Sequence, residues 1–531
     1  MSNLQNILRR SICLTLLAAS ALLTTQAQEV VTINGKGFFT DDIERITFGE
    51  VDFYGLPAAL AADSRFSLFS AALAETGLAD SLYYHFDPKY SVGEDSTKWL
   101  TYIERNKLIN VFGFEFNVAY PEYRLRKFTL LAETDDVFRA NGIRSLSDLK
   151  AYAKNKYDDV FPADATITDP TDRRHSLNRF VAYHILPFAV GYDVLRGKGS
   201  PFIKSYFDRE HEDVHQCFTT YMSEGILKLS LPANTDGEMY ANRRGVADHA
   251  DWYGLFVPGA RVTNPDDAPV ADNGFVFPIE DILIYNRRVL DDRFRLSFSA
   301  LSPDFLTSGA CERKPDNWYT DHEYYTRNKC YAFKAGSAER FTFEDSGTQL
   351  FVTPCYLTPI TFQGCFVIML GNGDVSIKLP VMPAGEWELR LHVWSRSGTS
   401  NVPIQFYLDD VSCGEPFDPT TWDTIGWKSD EELGDKEAML AFDRTFHEAG
   451  WMKDCATIIS SMGVPYRSNA NGLRRVLCRF VSDGHTPHTL RLSPIVSEGT
   501  KAEMSLDFLE FCPRSIYDGD KPEDGWLYEK E

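Results

Sequence analysis

The chain has 531 residues, and its 44% hydrophobic and 24% charged side chains are ordinary for a globular protein that buries a large core. Its length suggests about three folding units. The formal net charge of −22 argues against nucleic-acid binding, which needs a basic surface, and against attachment to anionic membranes.

The first 27 residues are typical of an export signal. Arg9 and Arg10 form a basic start, a short apolar core follows, and small side chains lead to a cleavage site near Ala27. The apolar core is too short to span a bilayer, and no later stretch is apolar enough to do so. Cys13 lies at the near edge of the apolar core, whereas a lipid-attachment cysteine would follow it. We therefore expect a secreted, periplasmic or cell-surface protein without a membrane span or lipid anchor.

Cysteine usage fits an exported chain but does not define a disulfide pattern. Ten cysteines include Cys13, so cleavage of the signal leaves an odd number. An oxidising compartment permits disulfides, and an odd count leaves at least one thiol unpaired or paired between chains. No two cysteines have the C-x-x-C spacing of a zinc knuckle. The connectivity therefore stays open.

Helix and strand patterns are mixed in the first half of the chain. After a lead-in over residues 28–62, apolar spacing predicts a helix from about Asp63 to Gly77. A strand is expected over residues 127–132, followed by a turn that Thr134 caps. A second helix is expected over residues 174–185, with His184 on its apolar stripe. Short strands and long polar loops follow.

The second half has the alternating pattern of β-strands. Residues 291–317 read as a connector, and a helix is expected over residues 435–446. Period-2 alternation between turn residues predicts an antiparallel sandwich. The alternating segments cover residues 375–379, 387–394, 404–408, 476–481, 490–492 and 504–511.

Three motifs of the first half occur in the order in which the fasciclin domain has them. The first is an apolar strand followed by Thr134, Asp135 and Phe138; the second is Tyr183-His184 with apolar residues and Pro187 after it; the third is Asn273-Gly274 before an apolar run. The chain resembles that family over residues 63–290. It departs from the pattern at Glu133, where proline is usual, and at Phe188, where glycine is usual.

The resemblance implies an α+β fold and an adhesive role, in which the signature residues act largely by keeping the fold intact. The second half is similar to a domain of unknown function that follows divergent fasciclin domains in secreted proteins of Bacteroidetes-type bacteria. We therefore expect an α+β fasciclin-like domain with insertions and then an all-β, antiparallel, jelly-roll-like sandwich. The expected boundaries are 1–27 for the signal peptide, 28–62 for the lead-in, 63–290 for the fasciclin-like domain, 291–317 for the connector, 318–515 for the sandwich and 516–531 for an acidic tail.

His184 is interpreted as a core histidine rather than a ligand, because it lies on the apolar face of its helix. A buried polar group without a partner costs about 1–3 kcal/mol, so a partner is expected. We hypothesise that Asp135 hydrogen-bonds His184 and thereby joins the first two signatures.

A short zinc motif and two tryptophans are further candidates. His211-Glu212-x-x-His215 matches H-E-x-x-H, which on a helix would bind zinc with the glutamate as base. Its charged flanks instead indicate a solvated loop. Trp422 and Trp427 lie in a loop-like stretch and could stack on sugars, although cover of a core edge is the simpler interpretation.

The function expected from these features is non-catalytic. Neither a G-x-S-x-G elbow nor a phosphate-binding G-x-x-x-x-G-K-[ST] loop occurs, so no catalytic residue, metal or cofactor is assigned. We expect an exported adhesion protein that contacts an extracellular protein or polysaccharide. A glycan-binding accessory protein of a polysaccharide-uptake system is one alternative, and a zinc metallopeptidase through His211, Glu212 and His215 is the other.

Overall fold

The structure is a computed structural model, and the segment expected to be an export signal lies outside the residues that it describes. The described residues are 30–33, 36–39, 54–83, 117–119, 124, 126–195, 206–207, 214–231, 238–244, 256–309, 329–354, 365–394, 402–454, 458–459, 467, 470, 472–498, 500, 502–519 and 523.

Helices are short and begin where the sequence offers a cap. Asp63, Ser145 and Asp435 each accept a backbone N–H in the first turn, at 3.0, 3.2 and 2.8 Å. The α-helices are α1 Leu56–Ala62, α2 Ser67–Glu75, α3 Leu78–Ser81, α4 Asp135–Ala140, α5 Leu146–Tyr157, α6 Ser176–Tyr183, α7 Tyr192–Leu195, α8 Arg287–Leu290, α9 Pro303–Thr307, α10 Asp430–Leu433, α11 Lys436–Glu448 and α12 Arg514–Tyr517. Short 3-10 helices lie at Ser64–Phe66, Pro162–Asp164, Phe298–Ala300 and Pro419–Thr424. No described helix has the length and apolar character needed to cross a membrane.

The described chain is mostly β, with several antiparallel sheets. Its strands are β1 Val30–Ile33, β2 Lys36–Phe39, β3 Asn117–Ala119, β4 Phe128–Glu133, β5 Ile185–Leu186, β6 Tyr206–Phe207, β7 Val214–Thr219, β8 Ile226–Leu231, β9 Met239–Ala241, β10 Ala260–Val262, β11 Val270–Ala271, β12 Gly274–Ile279, β13 Phe294–Ser297, β14 Lys329–Phe333, β15 Phe341–Phe343, β16 Gln349–Pro354, β17 Cys365–Leu370, β18 Val375–Lys378, β19 Gly385–Trp394, β20 Ile404–Leu408, β21 Val411–Ser412, β22 Trp451–Lys453, β23 Ile458–Ile459, β24 Gly472–Ser482, β25 Thr489–Pro494, β26 Glu503–Leu506 and β27 Phe508–Pro513.

Residues before Gly55 and those from Gly55 onwards belong to separate units. In the first unit, β1 and β2 form an antiparallel hairpin. In the second unit, the first sheet has the order β5-β4-β12-β10-β9-β8-β7, with β11 beside β12. The neighbouring strands β4 and β12, near the β5 edge, run parallel, and the other pairs are antiparallel. Helix α2 packs over this part of the chain and contacts α4, α5 and α6.

Three five-stranded sheets follow, with the orders β13-β27-β19-β24-β22, β26-β17-β16-β14-β3 and β15-β18-β25-β20-β21. The β-rich, antiparallel character expected of the second half is confirmed. A jelly roll would have two sheets rather than three. The long expected strand over residues 504–511 is in fact two strands, β26 and β27, which belong to different sheets.

The expected domain boundaries remain predictions, but three strand pairs cross them. β13 lies in the segment expected to be a connector, yet it pairs along its length with β27. β3 lies within the segment expected to be fasciclin-like, yet it pairs in parallel with β14. β6, also in the segment expected to be fasciclin-like, pairs antiparallel with β23. The sheets therefore combine strands from distant parts of the sequence.

β19 is buried on both faces, and the two faces differ in chemistry. Trp387, Leu389 and Leu391 belong to the apolar core. The residues between them, Glu388 and Arg390, are 0% exposed, and His392 is 1% exposed. Because successive side chains of a strand point to opposite faces, one face of β19 is apolar and the other is charged.

Candidate functional site

Asp135 binds the first turn of α2 and not His184. Its Oδ1 accepts the backbone N–H of Leu68 at 2.9 Å, and its Oδ2 accepts the hydroxyl of Ser67. The N–H groups of a first helical turn lack partners within the helix, which makes a nearby carboxylate favourable. The expected hydrogen bond between Asp135 and His184 is therefore wrong.

Glu133 is the residue that binds the buried imidazole. Its Oε1 lies 2.9 Å from His184 Nε2, and both side chains are 0% exposed. His184 Nδ1 donates to the carbonyl oxygen of Phe180 at 2.7 Å, since a carbonyl can only accept. The contact with Glu133 therefore needs one further proton, on the ring or on the carboxyl group. Glu133 Oε1 also accepts the backbone N–H of Leu283 at 2.9 Å.

The third signature fastens three segments together. Asn273 Oδ1 accepts the N–H of Leu56 at 2.9 Å, and its Nδ2 donates to the carbonyl of Leu82 at 2.6 Å. Gly274 pairs with Phe128, and a Cβ at this position would lie 2.0 Å from the Phe128 carbonyl oxygen. Only glycine allows that approach, so the Asn-Gly pair has a structural reason to be here.

The other signature side chains also act inside the molecule. Thr134 caps α4 by accepting the N–H of Val137 at 3.4 Å, and Phe138 is 0% exposed. The Tyr183 hydroxyl lies 2.9 Å from the Ile226 carbonyl oxygen and 3.0 Å from Asn242 Oδ1. These residues hold the fold together and offer no surface for a partner.

A buried charged cluster, which the sequence did not reveal, lies on the polar face of β19. At its centre, the Glu510 carboxylate accepts hydrogen bonds from Arg295 at 2.8 Å, Arg390 at 3.0 Å and Arg474 at 2.9 Å. Burial alone would raise the pKa of Glu510, but the charges of the three guanidinium groups outweigh it and hold that pKa well below its usual value.

Glu388 extends this cluster toward α11. It accepts from Arg390 Nε at 2.8 Å, His447 Nε2 at 2.8 Å and Arg479 Nε at 3.0 Å. Burial opposes ionisation, yet the hydrogen bond from His447 and the charge of Arg390 lower the pKa of Glu388 to about 2. Glu523 also belongs to the cluster, because its carboxylate accepts a hydrogen bond from Arg390 Nη2 at 3.0 Å.

His392 forms a second charged group on the same face. Its Nε2 lies 3.0 Å from Asp454 Oδ2, and its Nδ1 lies 2.7 Å from Asp507 Oδ2 at an angle poor for a hydrogen bond. Burial would lower the pKa of His392, but the two carboxylates raise it to about 10. The three side chains are 1–3% exposed. A general acid or base must reach its substrate, so these groups are structural rather than catalytic.

The zinc motif gains no support from the described residues. His211 and Glu212 lie outside them, while His215 belongs to β7 and pairs with Ser230 of β8. The helix that would place both histidines on one face is thus not formed at the second histidine. Within the described ranges, no group of three or more His, Cys, Asp or Glu side chains is arranged to hold a metal ion.

Trp427 is half-buried rather than displayed. Its ring packs against the core, its Nε1 is buried, and the Lys453 ammonium lies 5.8 Å from its ring. Lys453 is in turn held by Asp430 at 2.6 Å. Trp422 belongs to a 3-10 helix, and its side chain lies outside the described part. The Trp427 ring therefore covers an edge of the core, as the simpler interpretation expected.

An open cleft of about 420 Å³ lies where the β7–β8 turn meets the loops beside β15 and β18. We call it the Arg340 cleft. Its lining contains polar, charged and aliphatic side chains and no Phe, Tyr or Trp: Thr219, Ser223, Glu224, Gly225, Ile226, Glu339, Arg340, Lys378, Leu379, Pro380, Val381, His485 and Pro487.

The acidic side chains of the cleft have partners outside it. Glu224 lies 3.7 Å from Arg179, and Glu339 lies 3.6 Å from Arg126. Arg340 and Lys378 lack such a partner, since no carboxylate of the described chain lies within ion-pair distance of either, whereas His485 lies near the charge of Asp483. The cleft therefore contains basic side chains that form no ion pair with the described residues, although the chain as a whole is strongly acidic.

Arg340 is the most unusual residue of the cleft. Its φ of 72° lies in the left-handed region, which is unfavourable for a side chain of this kind. Its side chain is half-buried, and its Nε has no hydrogen-bond partner among the described residues. Burial lowers the pKa of Arg340, and the neighbouring charge of Glu339 opposes that shift. The guanidinium group is therefore partly desolvated and has a free donor.

Comparisons with known proteins give no family. No family model matches the chain, and no curated protein matches it. The solved structures to which the chain is similar include a Paenibacillus xanthan lyase, a family 35 carbohydrate-binding module from Clostridium thermocellum, and the insecticidal crystal protein CRY2AA.

The lyase is 12% identical over 34% of this chain and 13% of its own, with a TM-score of 0.18. The module is 9% identical over 34% of this chain and 95% of its own, with a TM-score of 0.17. The crystal protein is 10% identical over 72% of this chain and 69% of its own, with a TM-score of 0.20. TM-scores this low establish neither a shared fold nor a shared function.

Proposed function

We propose that this chain is an exported, non-catalytic binding protein that holds an extracellular polysaccharide or protein in the Arg340 cleft. The observation that carries the proposal is the cleft itself, a preformed concavity of about 420 Å³ in which basic side chains lack counter-ions among the described residues. Clefts with a few converging polar groups are the usual places for ligands. The buried charged groups on β19, in contrast, have no access to a ligand.

The resemblance to fasciclin domains supports an adhesive form of this proposal. The segments that carry the three signatures contact one another, through His184 with Glu133 and through Gly274 beside Phe128. Because these side chains are buried, an adhesive ligand must meet other residues. The Arg340 cleft supplies a surface of suitable chemistry for that contact.

A glycan-binding accessory protein is the second candidate, and the lining of the cleft favours it. Thr219 and Ser223 bring hydroxyl groups, while Glu224 and Glu339 bring hydrogen-bond acceptors, to one concave surface. Such groups match the hydroxyls of a sugar. In this form of the proposal the ligand is a polysaccharide rather than a protein.

The test is a binding survey with the full mature chain, because strand pairs link distant segments and separate halves would lose them. Purified protein is applied to a glycan array and to immobilised extracellular-matrix proteins. Ser223→Trp should abolish binding by filling the cleft, since Ser223 is an exposed lining residue. Ser515→Trp, at an exposed position of α12 outside the cleft, is the matched control.

Equal binding by the wild type and by both tryptophan variants would place the ligand elsewhere on the molecule. Attachment to matrix proteins alone would favour adhesion, and attachment to glycans alone would favour the accessory role. No binding to either surface would contradict the proposal.

A further inference from the structure

The lining of the Arg340 cleft carries as many basic as acidic side chains, whereas the whole chain is strongly acidic. The chain has 76 acidic and 54 basic residues, Asp and Glu against Lys and Arg. In the cleft, Glu224 and Glu339 face Arg179 and Arg126, whereas Arg340 and Lys378 form no ion pair with a carboxylate of the described ranges. These two cations are therefore left to attract a ligand of negative charge. The cleft is therefore suited to an anionic group.

Arg340 is held in place despite an unfavourable backbone. The residue immediately precedes β15, and its carbonyl oxygen accepts the N–H of Lys378 at 2.8 Å. The next residue, Phe341, pairs with Ile377. A left-handed φ of 72° is strained for an arginine, whereas glycine or asparagine would adopt it readily. Nothing in the backbone requires an arginine here, which directs attention to what its side chain binds.

The guanidinium group of Arg340 lines the cleft and makes no hydrogen bond within the described part of the chain. Its Nε is buried, so the donors open to a ligand are those of the two terminal nitrogens, and buried donors are seldom left without a partner. A guanidinium group presents parallel N–H donors that match the two oxygens of a carboxylate or sulfate. Partial burial strengthens such a bond relative to one in water.

The two glutamates of the cleft favour an acidic sugar over an acidic peptide as the ligand. Glu224 and Glu339 can only accept hydrogen bonds when ionised, so they suit a ligand that offers further donors close to its anionic group, although Glu224 already accepts the Ser223 hydroxyl at 3.0 Å. An acidic sugar presents several hydroxyl donors around one carboxylate or sulfate. An acidic peptide presents donors mainly along its backbone and would bring further negative charge toward both glutamates.

We infer that the Arg340 cleft recognises an acidic polysaccharide, with Arg340 binding a carboxylate or sulfate oxygen pair of the sugar. This inference rests on the proposed binding function and names the ligand class of the same site. Lys378 at the exposed rim would add a long-range attraction that salt screens.

The experiment measures the affinity of the full mature chain for polygalacturonate, dextran sulfate, neutral dextran and poly-L-glutamate by calorimetry. The wild type should bind one or both acidic polysaccharides, more weakly as salt is added. Arg340→Asn should weaken that binding roughly ten- to hundredfold, the range expected for a hydrogen bond to a charged group. Arg340→Lys should retain part of the affinity, since it keeps the charge but not the paired donors.

Two controls separate binding from folding. Arg340→Asn should melt no lower than the wild type, because asparagine tolerates the left-handed backbone. Arg144→Asn removes the same charge from an exposed arginine outside the cleft and should bind as the wild type does.

Each contrary outcome has a defined meaning. Unchanged affinity in Arg340→Asn, or equal affinity for neutral dextran, would overturn the inference while leaving the binding function in place. Preference for poly-L-glutamate would replace the polysaccharide by an acidic protein and would also overturn it. Absence of binding to every ligand, here and in the survey above, would contradict the proposed function as well. The ratio of the affinities for polygalacturonate and dextran sulfate shows whether the cleft prefers a carboxylate or a sulfate group.

Discussion

His184 and Glu133 form a 2.9 Å hydrogen bond between two side chains that are both 0% exposed. The bond joins the end of α6 to the end of β4, which are distant in sequence. Around the imidazole, the rings of Phe69 and Phe180 have centroids 5.3 and 4.6 Å away. The pair is thus a polar link inside an apolar core, where each partner makes the other tolerable.

Removal of either partner should destabilise the protein. We expect His184→Ala and Glu133→Ala each to lower the free energy of unfolding by about 2–4 kcal/mol, since each leaves a buried polar group without its partner. The double variant should cost less than the sum of the single changes. Urea unfolding measures all three, with Asp136→Ala at an exposed neighbour as control. Additive effects would show that the two side chains are not coupled.

The centre of the buried charged cluster should be still more sensitive. Glu510→Gln removes the charge that balances Arg295, Arg390 and Arg474, and we expect a loss of about 3–5 kcal/mol in unfolding free energy. Glu386→Gln, an exposed change on β19, should cost less than about 1 kcal/mol. Thermal and urea unfolding give both values. A small effect at Glu510 would mean that the three arginines find other partners.

Stability should depend on the charge of His392 at alkaline pH. The pKa of His392 is about 10 in the folded protein and near 6.5 in the unfolded chain, so the folded state binds this proton more tightly. Its contribution is complete below pH 6.5 and is lost as the pH rises from 6.5 to 10. The slope is at most about 1.4 kcal/mol per pH unit for one proton.

The comparison that isolates this effect is the wild type against His392→Gln. Urea unfolding from pH 6 to 10 should show a steeper decline in the wild type than in the variant. His485→Gln, at an exposed histidine, should follow the wild type. Identical slopes for the wild type and His392→Gln would show that His392 does not carry the alkaline dependence.

Gly274 should tolerate no side chain. A Cβ at this position would lie 2.0 Å from the Phe128 carbonyl oxygen and 2.7 Å from Leu56 Cδ1, so Gly274→Ala must push β12 away from β4. We expect a loss of several kcal/mol, roughly 3 or more, or failure to fold. Gly191→Ala has nothing within 4 Å of its added Cβ and should be close to neutral. Circular dichroism melting compares the two variants.

Local elements were the part of this fold that the sequence could predict. The expected strand over residues 404–408 is β20, and the expected helix over residues 435–446 is α11 with Asp435 as its cap. Both depend on short-range patterns, namely alternation and capping. The break between β26 and β27 at Asp507 could not be predicted, because period-2 alternation does not show which sheet a strand joins.

The sequence could not predict which partners the buried polar groups have. His184 was expected to be buried, but its partner depends on β4 and α6 meeting in three dimensions. Glu388 and Arg390 alternate with apolar residues on β19, and this pattern usually indicates a face in water. An acidic residue within the apolar run of β4 was the signal that could have identified Glu133. The cleft depends on loops that meet only in the folded chain.

The pairing of β13 with β27 sets the order in which the protein can fold. β27 is made long after β13, so β13 has no neighbour on that side until almost the whole second half has been synthesised. Pairing of such distant segments is slow, because a large loop must close first. A chain that ends before Phe508 would leave that sheet without the strand between β13 and β19. We therefore expect the sheet that contains β13 to be completed only after β27 has been synthesised, so that this part of the core forms at the end of translation.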